Sequence, residues 1–243
     1  MPAAYHPAVN TDLSRTLAGT GSSPDAADSG FRPRAVCYRC FRAAAVCICS
    51  LVPRIDNRTE IVVLQHHREM QHPIGTARIV RLGLTRVEVR LARRGNRLRV
   101  ARLPGDLPTA LLYPGPGSRD LGDIPDDRLP GRLVLLDGTW SQARRMLQAN
   151  PWLDGLSRVG LQPQAPSRYR IRRQPAPACL STIEAVVQAL RVIEPETPGL
   201  DRLLDVLDTM VDRQIDFRNA TRAQACSGNS TLGTSRTPGS TLK

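Results

Sequence analysis

A chain of 243 residues with 41% hydrophobic content is long enough to bury a core without disulfide staples. Its composition excludes a wholly disordered or collagen-like protein. No run approaches the ~18 apolar residues of a membrane span, and the first residues lack the charged start and apolar run of a secretory signal, so a cytoplasmic, reducing location is expected. Lys and Arg number 34 against 22 Asp and Glu, a net charge of +12 and a pI near 10.6. That balance suits a polyanionic partner such as nucleic acid. Lys243 is the only lysine, so the choice of arginine reads as compositional bias.

Residues 1–31 are rich in Ala, Gly, Ser, Thr, Asp and Pro without an apolar period and read as a disordered leader. A cysteine-bearing segment (32–55) follows, then a globular domain (56–218) and a Ser/Thr/Gly-rich tail (219–243) also read as disordered. Glu60–Gln65 has the apolar run of a buried strand, Ile74–Leu84 a helical face, and Thr85–Leu91 the alternation of a strand. Thr109–Tyr113 is a strand stopped by Pro114-Gly115-Pro116-Gly117. Arg132–Asp137 (RLVLLD) holds a continuous apolar run, as in a strand covered on both faces. Ser141–Ala149 reads as a helix ended by Asn150-Pro151. Ser181-Thr182-Ile183-Glu184 is a capping box that opens a helix over Thr182–Ile193. A long amphipathic helix then carries Leu200, Leu203, Leu204, Leu207, Met210, Val211 and Ile215 on one face and Asp201, Asp205, Asp208, Asp212 and Asp216 on the other. Strands alternating with helices predict an α/β fold with a mainly parallel sheet and helices on both faces.

Cys37, Cys40, Cys47 and Cys49 place two close thiol pairs within thirteen positions, a pattern suited to one tetrahedral zinc; an iron–sulfur cluster uses the same ligands. Cys179 reads as a small core residue and Cys226 as part of the tail. Arginines cluster in three places: around the cysteines (Arg39 and Arg42 among them), from Arg78 to Arg102, and at Arg168, Arg170, Arg172 and Arg173. Such clusters fit a phosphate backbone, or else a solvated rim. His66, His67 and His72 lack convincing ligand spacing and an accompanying cluster of acids. No Gly-rich phosphate loop, Walker sequence or nucleophile elbow is present.

Asp137-Gly138-Thr139-Trp140 falls where a buried strand gives way to a helix. Ligands of open α/β sheets bind at that end of the strands. An acid there can act as a base, with the helix dipole favouring its ionised form. The following helix N-terminus offers free N–H groups to an anion. The alternative is structural, with Asp137 capping the helix and Trp140 buried in the core.

Together these pieces resemble the DTW-domain family of tRNA-uridine aminocarboxypropyltransferases. The name-giving Asp-x-Thr-Trp is Asp137, Thr139 and Trp140. CYRCFRAAAVCIC (37–49), LQHHREMQHPIGTARI (64–79), LLYPG (111–115) and RRQPAPACLSTIEA (172–185) agree in order, so the resemblance covers roughly residues 35–217. Two stretches depart from the family pattern: His-Pro-x-Glu reads His66-His67-Arg68-Glu69, and Asn-Thr-Gly-Arg reads Gly75-Thr76-Ala77-Arg78. The resemblance implies a SPOUT-like fold and leaves open a knotted C-terminal half. It also implies S-adenosylmethionine as co-substrate, whose 3-amino-3-carboxypropyl group moves to uridine N3 in tRNA and leaves methylthioadenosine. Asp137 is then the expected catalytic residue. Thr76, Leu136, Thr139, Trp140, Ala143, Ser181 and Thr182 are expected at the donor, and Arg39, Arg42, Arg78, Arg172 and Arg173 at the RNA. Zinc is expected to be structural and the protein to act as a monomer. Two readings compete: an S-adenosylmethionine-dependent RNA methyltransferase, and a zinc-containing RNA-binding module without catalysis.

Overall fold

The structure is a computed structural model, and it describes residues 35–98, 103–163, 165–172 and 179–228. A small antiparallel hairpin, β1 (Val36–Cys37) and β2 (Arg42–Ala43), carries the first cysteines. The main sheet is built from β3 (Glu60–His66), β4 (Val87–Ala92), β5 (Thr109–Leu112), β6 (Arg119–Asp120), β7 (Arg132–Asp137) and β8 (Ser157–Gly160). The helices are α1 (Ala77–Gly83), α2 (Trp140–Ala149), α3 (Thr182–Ile193) and α4 (Leu200–Gly228). The strand order is β4-β3-β7-β5-β8-β6, and every neighbouring pair is parallel. The α/β architecture expected from the alternation is therefore the one formed.

Period-two geometry explains the two layers of core. Ile61, Val63, Leu133 and Leu135 point to one face and meet Ile79 and Val80 of α1, Ile183 and Leu190 of α3, and Leu203 and Leu207 of α4. Val62, Leu64, Leu111 and Val134 point to the other face and meet Leu147 of α2 and Leu153. Each such side chain contributes about 1.5–3 kcal/mol when fully buried. A Cβ at Gly83 would collide with Leu203, so a glycine is what lets α1 end against α4.

This wiring creates a crevice. The chain leaves β3 through α1, on one face, to reach β4. It leaves β7 through α2, on the opposite face, to reach β8. Strands β3 and β7 are neighbours in register from Glu60↔Arg132 to Gln65↔Asp137. Adjacent strands whose crossovers depart to opposite faces leave a gap at their carboxyl ends, where ligands of such sheets bind.

Helix α4 runs on to Gly228, so residues 219–228, expected to belong to the tail, are helical. Once a helix is nucleated, each further residue adds one hydrogen bond. Ala220, Arg222 and Gln224 are good helix formers even though the apolar stripe ends at Ile215. The leader (1–31) and residues 229–243 lie outside the described residues. Short strands β6 and β8 were not legible in the sequence; β6 pairs over only two residues.

Candidate functional site

Asp137 ends β7 and is only 7% exposed. Its Oδ2 accepts a hydrogen bond from Gln65 Nε2 at 2.8 Å, and its Oδ1 accepts one from Thr182 Oγ1 at 2.5 Å. The carboxylate thus ties β3, β7 and the start of α3 together. It does not cap α2. Thr139 does: its Oγ1 accepts from Gln142 N at 3.3 Å, while Gln142 Oε1 accepts from Thr139 N at 2.6 Å. The capping alternative for Asp137 is thereby corrected; Thr139, two residues further on, is better placed to reach the free N–H of the first turn. Glycine suits the position between them: a Cβ at Gly138 would crowd the Gln142 side chain, at 2.9 Å from Oε1, and disturb its bond from Thr139 N.

Burial is the largest influence on Asp137 and pushes its pKa up. The bonds from Thr182 and Gln65 and the charge of Arg172 pull it down, while the charge of Glu69 adds to the rise. The expected preference for the ionised form is therefore outweighed: withdrawal from water disfavours the charge more than the hydrogen bonds favour it. A carboxyl held this way is a stronger base when ionised than an exposed one.

Two clefts meet at Gly138, Trp140 and Thr182. One, of about 190 Å³, is walled by apolar groups including Leu112, Tyr113, Leu136, Ala143 and Leu161. The other, of about 380 Å³, is polar and includes Glu69, Thr76, Asp137, Tyr169, Arg172 and Ser181. Trp140 stands between them and is 47% exposed. Its ring meets Tyr113 edge-on at 6.0 Å between centroids. It is not a core residue. Of the residues expected at the donor, Leu136, Trp140, Ala143 and Thr182 line the apolar cleft, while Thr76, Thr139 and Ser181 line the polar one. The Ser181 hydroxyl is committed to its own helix, donating to Glu184 Oε2 at 2.6 Å.

Gln65, Glu69, Tyr113 and Tyr169 also reach the site and had not been singled out. Gln65 is a lone polar residue near the end of an apolar strand, which was the available signal. Tyr169 is buried; its hydroxyl donates to Ile74 O at 2.6 Å, and burial raises its pKa. His66 is buried, with a pKa lowered by burial and then by the neighbouring His67 ring, whose centroid lies 4.3 Å away.

The four cysteines converge as the spacing suggests. Their Sγ atoms all lie within 4.8 Å of one another, with Cys37–Cys49 at 3.7 Å and Cys40–Cys47 at 3.8 Å. Thiolates at about 2.3 Å from one tetrahedral ion stand about 3.8 Å apart, so the set fits a single metal ion such as zinc. Backbone N–H groups of Cys40 and Arg39 lower the Cys37 pKa to about 6, while burial and the neighbouring thiols raise that of Cys49, so the four do not all favour the thiolate without a cation among them. Among the described residues no other cluster of His, Cys, Asp and Glu fits a metal.

The arginines divide sharply. Arg39 is exposed. Arg42, expected at the RNA, is only 1% exposed. Its guanidinium donates to Cys40 O at 3.1 Å and Gly75 O at 3.2 Å and lies 2.6 Å from Met210 Sδ. It braces the cysteine hairpin against the site loop and α4, and is corrected to a structural role. Arg78 is half-buried: it stacks on Phe41 at 4.1 Å and donates to Met70 O. Arg172 lines the polar cleft. Arg173 lies outside the described residues. In the third cluster, Arg168 pairs with Asp208 at 3.2 Å and Arg170 with Asp212 at 2.8 Å, so part of that charge is spent on the acidic face of α4.

A parallel α/β protein with a two-part cleft at its switch point and a four-cysteine cluster beside it is the class these features define. Residues 34–215 match the DTW domain, and the chain belongs to that family. It is 34% identical over 188 residues to tRNA-uridine aminocarboxypropyltransferase 2 of Drosophila melanogaster, covering 74% of this chain and 75% of that protein. It is 31% identical to the mouse (Mus musculus) protein of the same name, covering 75% of this chain and 64% of that one. To tRNA-uridine aminocarboxypropyltransferase A of Arabidopsis thaliana it is 29% identical, covering 76% and 82%. No solved structure matches the chain.

Proposed function

We propose that the protein is a tRNA-uridine aminocarboxypropyltransferase that uses S-adenosylmethionine as donor on a SPOUT-like sheet. The observation that carries this is the placement of Asp137, a buried carboxyl that lines the polar cleft beside Gly138 and Thr182, where that cleft meets the apolar one. The apolar cleft, walled by Trp140, Tyr113 and Leu136, suits the adenosine. The polar cleft, over the start of α3 and lined by Glu69 and Arg172, suits the charged methionine end.

In the reaction, uridine N3 loses its proton to Asp137. The nitrogen then attacks the methionine γ-carbon. The bond from that carbon to sulfur breaks, and its electron pair neutralises the sulfonium, leaving methylthioadenosine. The chain's contribution is to hold the base near the proton and to aim the γ-carbon rather than the methyl. A methyltransferase would differ only in that aim.

The four thiolates would hold zinc as a structural ion; their spacing suits one ion, whereas a multi-iron cluster interposes metals and sulfides and spreads its ligands. Of the expected RNA contacts, Arg39 remains open to solvent, whereas Arg172 lines the polar cleft, on the side of the donor. Arg68, Arg93, Arg94 and Arg97 join Arg39: all are exposed, have no carboxylate partner among the described residues, and follow the carboxyl ends of β3 and β4, on the same rim as the cleft. No helix among the described residues is long and apolar enough to cross a membrane. The chain acts as a monomer in this reading.

Incubating the purified protein with unmodified tRNA and S-adenosylmethionine, followed by nucleoside mass spectrometry, tests the proposal. An aminocarboxypropyl uridine is expected. A methylated nucleoside would establish the methyltransferase instead, and no product with tight tRNA binding would leave an RNA-binding module.

A further inference from the structure

We propose that Glu69 and Arg172 form a clip for the two charges of the donor's amino-acid end, Glu69 taking the α-ammonium and Arg172 the α-carboxylate. The inference rests on S-adenosylmethionine being the donor.

The carboxylates around the polar cleft differ in how far they are already satisfied. Asp137 accepts one bond on each oxygen. Glu184 accepts from Ser167 Oγ, Arg168 N, Ser181 N and Ser181 Oγ. Glu69 is equally withdrawn, at 7% exposure, yet no hydrogen bond reaches its carboxylate among the described residues. Its one partner there is Arg172 Nη1, 3.7 Å from Oε2, beyond hydrogen-bond range. A carboxylate this far from water is costly unless donors satisfy it. An ammonium brings three.

The arginines divide the same way. Arg168 and Arg170 are paired with aspartates of α4, while the only described partner of Arg172 is Glu69. Its planar fork is left free to grip a carboxylate side-on. An α-amino acid carries an ammonium and a carboxylate on one carbon, so a carboxylate and a guanidinium standing side by side in a cleft match it in sign and spacing.

The loop bearing Glu69 is held in advance of binding. Glu69 N donates to His66 O at 2.9 Å, and His72 N donates to Glu69 O at 3.1 Å. Arg42 and Tyr169 fix the carbonyls of Gly75 and Ile74 further along. Preorganisation of this kind lowers the ordering cost of binding. The clip also gives the site a way to release its by-product: methylthioadenosine keeps the adenosine but has neither charge.

Isothermal titration of the full chain with S-adenosylmethionine, decarboxylated S-adenosylmethionine and methylthioadenosine tests this. In the unmodified protein, affinity should fall in that order, the first step being the loss of the contact to Arg172. Glu69→Gln and Arg172→Gln should each weaken S-adenosylmethionine by about 10- to 100-fold, the scale of a charge-assisted bond. Methylthioadenosine should bind both variants as before, which also shows that they are folded. Arg172→Gln should not change the affinity for the decarboxylated donor. Variants that bind S-adenosylmethionine normally overturn the clip, as does an unmodified protein that binds the decarboxylated donor as tightly as the intact one. An unmodified protein that binds methylthioadenosine but gains nothing from the amino-acid end overturns the clip alone. One that binds none of the three overturns the donor reading and the clip together.

Discussion

Asp137→Asn should slow transfer and at the same time improve stability at neutral pH. An amide cannot take the uridine proton, and general-base assistance is worth about 10²–10⁴-fold. The geometry allows the substitution with little else disturbed. The Asn carbonyl can accept from Thr182 Oγ1, where the aspartate accepts at 2.5 Å. Its NH₂ would then face Gln65, whose own amide can turn to present its oxygen. Both bonds, each worth about 0.5–1.5 kcal/mol, are kept. What disappears is the burden of a charge in the interior. Burial raises the folded pKa of Asp137 above the ~3.9 of an unfolded aspartate. The stability this group contributes is therefore complete below ~3.9 and is lost as pH rises through the folded value. The asparagine has no such loss, so the difference in unfolding free energy should move in favour of the variant between pH 4 and pH 8.

Single-turnover transfer with saturating donor, read by nucleoside mass spectrometry, measures the first half, and urea unfolding at a series of pH values the second. The unmodified protein should also show an acid limb in its rate, rising as Asp137 ionises, and the residual rate of the variant should lack it. A variant within tenfold of the normal rate would reduce Asp137 to a brace between β3, β7 and α3. A variant that loses stability relative to the unmodified protein as pH rises would refute the electrostatic account.

Trp140→Ala should cut donor affinity at least several-fold in calorimetry while moving the unfolding free energy by about 1 kcal/mol or less, since the ring is half exposed; unchanged affinity would remove the tryptophan from the site. Elemental analysis should find one zinc per chain, and replacing Cys40 and Cys49 with Ser should abolish it and speed hydrogen exchange across Val36–Val46; iron with sulfide would overturn the assignment. Arg42→Ala should cost about 2–4 kcal/mol in urea unfolding, because the Cys40 and Gly75 carbonyls lose their buried donor. Arg39→Ala should leave stability alone and lower the salt slope of tRNA binding by about 1; a stability loss at Arg39 or none at Arg42 would reverse that division.

The elements legible in the sequence were those with a strong period or cap. Arg132–Asp137 was found to the residue because a parallel strand buried on both faces shows as an apolar run, here Leu133–Leu136, bounded by one charged residue at each end. Thr182–Ile193 was found because its capping box marks its start. The four cysteines were legible because metal ligands are set by local spacing. The role of Arg42 was not, because nothing local separates an arginine that turns inward under α4 from Arg39, which stays in water; that depends on Met210 and Gly75, 168 and 33 residues away. The partners of Asp137 were hidden for the same reason. Gln65 and Thr182 meet it only through the pairing of β3 with β7 and the return of α3 across the sheet.

Charge shows the same limit more sharply, and it bears on how RNA would meet the site. Adjacent arginines in the sequence suggested three interchangeable basic clusters. Folding sorts them instead. Arg168 and Arg170 are consumed by the aspartates of α4, Arg132 by Glu60 at 2.9 Å, and Arg42 by main-chain carbonyls. The exposed arginines after β3 and β4 have no such partners among the described residues, and parallel strands deliver their ends to one edge of the sheet. That edge holds the cleft. A polyanion drawn by the net charge of +12 would thus be held at the rim through its backbone, while Glu69 and Asp137 keep the floor of the cleft acidic. An acidic floor repels phosphate and accepts an ammonium or an N–H group. In the proposed reaction the rim and the floor would therefore select different parts of the two substrates: the RNA backbone outside, one uridine edge and one amino-acid end within.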